Sequence, residues 1–463
     1  MLQDIRYNME KQKGMTDLQL RLSQMEEKAE KLRKMGLLFF CLLLFDIASM
    51  GAGKYLPLGW FSFRILLTIL VLCCGIPLVF IRFRSLIRKP PSLLFLALLV
   101  YLGMEALRGL LLDNSRAVLL SDVKGFAWLG LIPLLQVLIK DRSDLRRAVN
   151  FGLAGASFQA AVCVLFNILF AGLIPRSLPS FVEWIWKIQW GTILQVEYNA
   201  VRIFCRSSMY LVVACVILWG RLMRSEKLSL KYALLFLLNF FALFYTYTRS
   251  MYLTLLAGLL LAFVYTCLKY PLKRVLLRSL ILAGVFLILS VFSDIVLRQG
   301  SFQYAVARCF HRDLQQMLHL PATWDVQAPV DMEEITENTN NTRALTLEAF
   351  RQGIGASPLI GHGLGAVNAY RQDIDEYFYH DMLLRCGGIG LLLYLAPAGW
   401  VFLLIWKRRD TLKGDREIVF YGIALICFLI ATYYNPWMNA AIGISWYAVC
   451  IRGASLLQET ENE

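Results

Sequence analysis

The sequence predicts an all-α polytopic membrane protein of about twelve transmembrane helices, with a large, mostly helical extracytoplasmic loop between helices 9 and 10. Three observations predict this fold class. Hydrophobic side chains make up 58% of the 463 residues and charged side chains only 17%, against about 45–50% and about 25% in soluble domains. The mean hydropathy is +0.56. The apolar residues are gathered into runs of about the 20 residues that span a bilayer core.

The distribution of charges and cysteines excludes other classes of protein. The formal net charge is +14, with 47 Lys and Arg against 33 Asp and Glu, but the basic residues form short clusters between apolar runs. A nucleic-acid-binding protein concentrates them on one face, so no nucleic acid is predicted as a partner. Most of the 11 cysteines lie inside apolar runs, where a thiol behaves as a small hydrophobe. A disulfide-stapled fold is therefore not predicted.

Each apolar run is a candidate span. In order, the windows are residues 35–53, 62–81, 91–112, 123–139, 148–172, 207–221, 231–248, 250–268, 275–294, 386–406, 416–434 and 439–452. The run from Met35 follows a long charged stretch and lacks a small-residue cleavage site, so it is interpreted as a span and not as a signal peptide. The predicted divisions of the chain are a cytoplasmic amphipathic tail (1–34), helices 1–9 (35–294), an extracytoplasmic loop (295–385), and helices 10–12 with a short cytoplasmic tail (386–463).

The positions of the basic residues predict the orientation. The amino-terminal tail, the connections after the even-numbered spans and Arg452 together hold 30 of the 47 Lys and Arg. Because cytoplasmic connections are enriched in Lys and Arg, both termini are predicted to be cytoplasmic. Within the tail, an apolar stripe predicts an amphipathic helix on the membrane surface or against a partner. The stripe consists of Leu18, Leu22, Met25, Ala29 and Leu32.

Two sizeable segments lie on the extracytoplasmic side in this topology. Residues 173–206 include Trp184, Trp186 and Trp190, whose spacing predicts a helix at the level of the lipid headgroups. A loop as long and polar as residues 295–385 is more often functional than a connector. Its predicted parts are a helix around 302–319, a polar stretch 322–342, a helix around 343–354 and the turn-rich run Gly361-His362-Gly363-Leu364-Gly365.

Arginines at the extracytoplasmic ends of spans are the main candidate ligand-binding residues. Arg249 lies at the tip of the hairpin between spans seven and eight, where a guanidinium is costly unless it faces water, a counter-ion or a ligand. It either reaches the headgroup phosphates or binds an anionic ligand, since its donors match phosphate oxygens. Arg202 and Arg206 precede span six and are either interfacial anchors or part of the same site. With Arg343, these cations would surround a diphosphate.

All four histidines lie in the long loop: His311, His319, His362 and His380. His380 precedes span ten and is either a polar helix cap or a general base that takes a proton from a hydroxyl near neutral pH. No compact spacing of His, Cys and carboxylates predicts a metal site, and no cofactor is predicted. The glycine run is either a tight turn or a set of backbone amides presented to an anion.

Ionisable residues also occur inside the spans, where a charge normally has a partner or a function. Glu105 and Arg108 in span three are one helical turn apart and are predicted to pair with each other. Asp46 in span one has no partner that the sequence identifies, and its role stays open.

The order of these segments resembles that of the O-antigen ligase and O-antigen polymerase superfamily of bacterial polysaccharide assembly. The resemblance covers roughly residues 200–400, and it includes a segment similar to the family's Thr-x-Ser-Arg-Gly signature and one similar to its His-Asn motif. Asp381 stands where the family usually has Asn. The matching segments are Arg202–Met209, Thr246–Ser250, Arg343–Phe350, Pro358–Gly365 and His380–Leu383 running into Gly387–Gly390.

The resemblance implies a glycosyltransferase of the bacterial inner membrane that moves a glycan from undecaprenyl diphosphate to a hydroxyl acceptor outside the cytoplasm. The acceptor would be a lipid or wall component for a ligase and the growing glycan for a polymerase, with membrane lipids as further partners. It implies that Arg249, Arg343 and one of Arg202 and Arg206 bind the diphosphate without a metal, and that His380 deprotonates the acceptor. The alternative is a lipid-linked oligosaccharide flippase or other secondary transporter, which predicts an internal repeat and discontinuous helices.

Overall fold

The computed structural model describes residues 2–51, 57–58, 61–173, 183–185, 187–305, 332–368, 377–408 and 416–459. Side chains are described from residue 23 onward in these ranges, except those of residues 57, 58, 61, 172, 173, 195, 197 and 332–343. Within these ranges the chain forms α-helices and two short antiparallel hairpins. The helices are Leu2–Ser49, Phe63–Ile81, Phe83–Ile87, Pro90–Leu111, Arg116–Phe126, Leu131–Leu138, Arg142–Ile168, Met209–Arg224, Leu230–Phe244, Arg249–Lys269, Leu272–Leu297, Met332–Ala356, Phe378–Lys407, Glu417–Ala431 and Ala441–Glu459.

Helical structure occupies each of the twelve apolar windows. In the described parts of the chain, two further apolar helices, Leu230–Phe244 and Glu417–Ala431, are shorter than a full span. The protein is therefore an α-helical multi-pass membrane protein, as predicted, whereas the number of twelve spans stays a prediction. Among the described residues, seven helices are long and apolar enough to cross a membrane: Phe63–Ile81, Pro90–Leu111, Arg116–Leu138, Arg142–Ala171, Arg249–Lys269, Leu272–Leu297 and Phe378–Lys407.

The amino-terminal tail and the first span form one continuous helix, Leu2–Ser49. No proline lies between the two parts, so nothing in the sequence ends the helix at the membrane surface. Arg33 holds the junction between the tail and the first span in place, because its buried guanidinium donates to Asp144 at 2.6 Å. Farther along, the helix packs closely on Arg142–Ile168, where a Cβ on Gly155 would lie 2.4 Å from the Phe45 carbonyl oxygen. Such close approach at small residues is typical of helix pairs in membranes.

The prediction of a helix at the level of the lipid headgroups is wrong for residues 191–205, before span six, which form a hairpin. Residues 183–185 are helical, but Gly191–Gln195 then pairs antiparallel with Val201–Cys205. In the second strand burial alternates, with Val201 and Cys205 buried and Arg202 half-buried. This two-residue period is that of a strand, and it outweighs the tryptophan spacing. Trp186 lies outside the described residues.

The long loop is described in part. Residues 306–331 and 369–376 lie outside the described residues, together with His311, His319 and most of the helix predicted around 302–319. The helix predicted around 343–354 is present but begins earlier, as Met332–Ala356. Residues 332–342 of the predicted polar stretch therefore belong to this helix.

The basic clusters that were predicted to be cytoplasmic meet at one end of the helix bundle. Glu459 bonds to Arg452 at 2.8 Å and to Lys89 at 2.5 Å. The alternation of basic connections therefore has a counterpart in the fold, although the side of the membrane on which they lie stays a prediction. Further contacts at this end are Arg33–Asp144 (2.6 Å), Arg146–Glu417 (3.4 Å), Arg221–Glu417 (2.5 Å) and the bond from Arg278 to the Ser225 carbonyl (2.8 Å).

Two ion pairs account for the ionisable residues inside the first three spans. Glu105 and Arg108 pair with each other at 3.4 Å, as predicted. Asp46 bonds to Arg64 of the next helix at 2.6 Å, and both side chains are buried. The Arg64 guanidinium also donates to the Gly51 carbonyl at 2.9 Å. Asp46 thus has a structural partner, which satisfies the requirement that a buried charge be paired.

Candidate functional site

The hairpin formed by Gly191–Gln195 and Val201–Cys205, here called the arginine hairpin, carries the first candidate cation. Its second strand lies against the end of helix Leu230–Phe244, because the Ile203 amide donates to the Tyr245 carbonyl at 2.9 Å. The Arg202 guanidinium donates to the Thr246 carbonyl at 3.1 Å. Thr246 precedes Arg249 by three residues, so the hairpin brings Arg202 to the junction where Arg249 begins its helix.

Residues 245–248, here called the tyrosine turn, hold the start of helix Arg249–Lys269. Tyr247 has a φ of +45°, which is uncommon for a residue other than glycine and carries backbone strain. Its ring is fully buried and packs edge-on against Tyr304 at a centroid distance of 4.8 Å. The hydroxyl of Tyr245 lies 3.1 Å from that of Ser293. These contacts fix the turn, and Arg249 emerges from it with an exposed side chain.

Arg206 lies just beyond the arginine hairpin and has different neighbours from Arg202. Its side chain is exposed, and its carbonyl accepts a hydrogen bond from the Trp437 indole at 3.2 Å. Trp437 ends the stretch 433–437, which lies between helix Glu417–Ala431 and helix Ala441–Glu459. It is here called the outer tyrosine loop, after the side of the membrane on which the sequence predicts it. The two arginines that the sequence could not distinguish therefore contact different elements, Arg202 the tyrosine turn and Arg206 the outer tyrosine loop.

His380 lies in the first turn of helix Phe378–Lys407, within a cage of aromatic rings. The ring centroids of Phe350, Tyr377 and Tyr433 lie 5.6, 5.6 and 5.7 Å from that of His380. The Nδ1 atom is buried and has no hydrogen-bond partner within the described ranges. A helix cap would bond to backbone groups, so this nitrogen does not act as one. An imidazole held in this way can accept a proton from a bound hydroxyl.

The four elements that carry these residues lie at the same end of the bundle and are joined by contacts. The tyrosine turn contacts Arg202, the arginine hairpin continues to Arg206, and the outer tyrosine loop contacts Arg206 through Trp437 and His380 through Tyr433. This end is opposite to the one where the basic connections meet. The fold thus places Arg202, Arg206, the start of the Arg249 helix and His380 at the same end of the bundle, although Arg202 and His380 are 178 positions apart in the chain.

Arg343 belongs to helix Met332–Ala356, and its side chain lies outside the described residues. Phe350, seven residues later in the same helix, forms one wall of the His380 cage. The helix that contains Arg343 therefore reaches the candidate site, while the contacts of Arg343 stay a prediction.

The stretch 357–366, here called the glycine segment, is a tight turn and not an anion-binding nest. Gly361, Gly363 and Gly365 have φ values of +66°, +82° and +81°, a region that favours glycine. Every backbone amide from residue 361 to 366 has a partner within the protein, so none is left to bind an anion. The acceptors, in order, are Ser357 O (3.0 Å), Leu384 O (2.8 Å), Arg385 O (2.9 Å), Glu105 O (3.0 Å), Asp122 Oδ2 (3.0 Å) and Gly363 O (3.3 Å).

The glycine segment fills a break in the helix that carries His380. Gly387, with φ +63° and ψ −172°, interrupts helix Phe378–Lys407. In an unbroken helix the amides of residues 388 and 389 bond to the carbonyls four residues earlier. Here these two amides and the carbonyls of residues 384 and 385 all bond to the glycine segment. The break separates the half-helix 378–386 from the rest of the span. The bonds are Gly388 N to Pro358 O (2.8 Å), Ile389 N to Leu359 O (3.1 Å), His362 N to Leu384 O (2.8 Å) and Gly363 N to Arg385 O (2.9 Å).

A buried charge cluster next to the break was missed from the sequence. The Arg385 guanidinium lies 2.5 Å from Asp122 and 2.6 Å from Asp381, and all three side chains are buried. Two signals could have indicated it, namely a carboxylate directly before the fourth apolar run and an arginine directly before the tenth, because charges next to the membrane core need partners. Neither signal identifies the partner, since Asp122 and Arg385 are 263 positions apart.

Comparison with known proteins gives one family. Residues 232–385 match the family model described as O-antigen ligase. The resemblance predicted from the sequence is therefore confirmed, over a range that holds Arg249, Arg343 and His380 but neither Arg202 nor Arg206. No curated protein matches the chain. The O-antigen ligase match supports, in general terms, a membrane ligase or polymerase that transfers glycans.

Proposed function

We propose that the protein transfers a glycan from undecaprenyl diphosphate to a hydroxyl acceptor at the outer face of the bacterial inner membrane. The observation that carries this proposal is the contact between Arg202 and the tyrosine turn, which places the Arg202 guanidinium at the junction where the helix of Arg249 begins. The outer tyrosine loop connects this junction to His380. A diphosphate needs several positive charges, and a base must take one proton from the acceptor. Residues suited to both requirements lie on elements at the same end of the bundle, which supports the proposal.

Arg202 and Arg249 bind the diphosphate in this proposal, and Arg343 is the third cation. A guanidinium pairs with phosphate oxygens through two parallel bonds, and it stabilises the negative charge that develops as the bond between the anomeric carbon and the diphosphate oxygen breaks. Arg202 is favoured over Arg206 as the hairpin arginine, because its guanidinium lies on the tyrosine turn. Arg206, beside the outer tyrosine loop, lies closer to the acceptor side of the site.

His380 is the general base in this proposal. The acceptor oxygen forms a new bond to the anomeric carbon, its proton passes to the imidazole, and the diphosphate leaves on its lipid carrier. The unpartnered Nδ1 atom supports this role, since it is the kind of acceptor that a bound hydroxyl would satisfy. The aromatic cage holds the ring while excluding part of the solvent, which favours proton transfer in a fixed geometry.

The transporter alternative has one observation in its favour, the discontinuous helix at Gly387. In transporters the backbone groups freed by such a break contact the substrate or a coupling ion. Here the freed groups at residues 384, 385, 388 and 389 are bonded to the glycine segment. The break thus supports a scaffolding function in this chain more than a transport site.

The test is an in-vitro transfer assay with purified protein, an undecaprenyl-diphosphate-linked glycan and a glycan or lipid acceptor. We expect Arg249→Ala to lower transfer by about 10²–10³-fold, as for the loss of one electrostatic stabiliser. His380→Ala should lower it by about 10²–10⁴-fold, the contribution of a general base. Arg84→Ala, an exposed arginine in the short helix Phe83–Ile87, is the matched control and should transfer at the parental rate.

Two results would contradict the proposal. Transfer at the parental rate by both Arg249→Ala and His380→Ala would remove the mechanism. Movement of the lipid-linked glycan across vesicles without any transfer would favour the flippase.

A further inference from the structure

The cluster of Asp122, Arg385 and Asp381, here called the carboxylate clamp, joins three parts of the candidate site. Arg385 and Asp381 lie one turn apart in the half-helix 378–386, and Asp122 lies in helix Arg116–Phe126. The second oxygen of Asp122 accepts the Gly365 amide at 3.0 Å. The Arg385 Nε atom donates to the Ala366 carbonyl at 3.1 Å. One guanidinium therefore holds two carboxylates and the glycine segment at the same time.

The half-helix that carries His380 depends on this cluster for its position. It has only nine residues before the break at Gly387, and its last carbonyls bond to the glycine segment in place of the following helical turn. The glycine segment is itself fixed by Asp122 and Arg385. Loss of one charge in the carboxylate clamp thus loosens both the half-helix and the segment against which it rests.

We propose that Asp122 and Arg385 are positioning residues of the transfer reaction, which keep His380 in place through the half-helix without touching the substrate. This inference rests on the proposed function, because it gives the position of His380 a catalytic meaning. A displacement of about 1 Å at a reacting group can cost about 10²-fold in rate. The carboxylate clamp acts at the base and not at the arginine hairpin or the tyrosine turn, so donor binding does not depend on it.

A matched cluster at the opposite end of the bundle provides a control that distinguishes a positioning role from a general contribution to stability. Asp144 accepts from Arg33 at 2.6 Å and from the Lys140 amide at 3.1 Å, and it is buried like Asp122. Asp122 likewise accepts from one guanidinium and one backbone amide. Asp122→Asn and Asp144→Asn therefore remove the same kind of interaction, but only the first lies beside the half-helix of His380.

The experiment measures kcat and donor KM of the full-length protein with an undecaprenyl-diphosphate-linked glycan, together with thermal stability in the same detergent. For Asp122→Asn we expect kcat to fall by about 10–100-fold with donor KM unchanged. For Asp144→Asn we expect a comparable loss of thermal stability with kcat unchanged per folded molecule. Arg385→Lys keeps a cation but loses the planar fork that holds several acceptors, so its kcat should lie between those of Asp122→Asn and the parent.

The outcomes distinguish this inference from the proposed function. Full activity of both Arg249→Ala and His380→Ala would overturn the proposed function, whatever Asp122→Asn does. Full activity of His380→Ala alone would remove its role as the base and, with it, the positioning role. An inactive His380→Ala together with a parental kcat for Asp122→Asn would overturn the positioning role alone. A kcat that falls equally in Asp122→Asn and Asp144→Asn would also overturn the positioning role. Failure of both Asp122→Asn and Arg385→Lys to yield folded protein would make the carboxylate clamp a folding requirement and would also overturn it.

Discussion

Replacing Gly387 by alanine tests whether the broken helix is built into the fold. The φ of +63° and ψ of −172° at this residue belong to a region that is essentially restricted to glycine. A Cβ there would lie 2.2 Å from the carbonyl oxygen and 2.3 Å from the carbonyl carbon of Leu359. Both are backbone atoms, so no side-chain rotation relieves the contact. The glycine segment has to move, or the helix has to change its path.

The size of the effect follows from these two routes. Backbone strain alone costs about 1–3 kcal/mol. If the glycine segment retreats, the four hydrogen bonds at the break are weakened, at about 0.5–1.5 kcal/mol each. Gly399→Ala in the same helix is the control, because among the described residues no heavy atom outside the neighbouring helix backbone lies within 4 Å of the added Cβ. Alanine is favoured over glycine inside a helix by about 0.5–1 kcal/mol, so this variant should be as stable as the parent or slightly more stable.

The assay is equilibrium unfolding of the purified protein in mixed detergent micelles, followed by tryptophan fluorescence, with glycan transfer measured in parallel. We expect the free energy of unfolding of Gly387→Ala to lie below that of Gly399→Ala by at least about 1.5–4 kcal/mol, the strain plus the forgone helix gain. Transfer should fall as well, since the half-helix of His380 adjoins the break. Equal stability and equal transfer in the two variants would refute the view that the break is built in.

Two further predictions concern ion pairs away from the candidate site. Asp46→Leu leaves Arg64 buried without its carboxylate and should cost about 3–5 kcal/mol of unfolding free energy. Asp46→Leu combined with Arg64→Met should recover most of that loss. Equal losses in the single and double variants would contradict this prediction. Burial alone raises the pKa of Glu459, but hydrogen bonds from Arg452 and Lys89 outweigh it and hold the pKa below its ordinary value. Glu459→Gln should therefore destabilise the protein at neutral pH, and its difference from the parent should vanish as the pH falls through this lowered pKa; a difference that persists in acid would argue against the ion pairs as its source.

The sequence predicts the helices well because their cause is local. An apolar run of span length between basic clusters has few alternatives to a helix in a membrane, and helical structure occupies every predicted window. The arginine hairpin was missed because its local signal is weak. Its signal is one short alternation over Val201–Cys205, which is weaker than the aromatic spacing before it.

The partners of buried charges could not be predicted, because they depend on tertiary packing. Asp46 is a conspicuous carboxylate in span one, but nothing in the sequence selects Arg64 over other arginines. Glu105 and Arg108 were paired correctly because their partnership is local, one turn along a helix. Asp122 and Arg385 come together only when helix Arg116–Phe126 packs beside the half-helix of His380. The sequence indicates that such charges need partners, and the fold determines which ones.

The segments that resemble the O-antigen ligase family divide into two physical roles. The segments around Arg202 and Arg249 present cations at exposed or half-buried positions, as ligand binding requires. The glycine segment presents nothing to a ligand, since its amides are bonded to helix carbonyls and to Asp122. Its positive φ values allow a turn tight enough to enter the break at Gly387. In the proposed mechanism the glycine-rich motif therefore accompanies the diphosphate-binding residues without touching the phosphate, and it builds the support for the half-helix of the proposed base, His380.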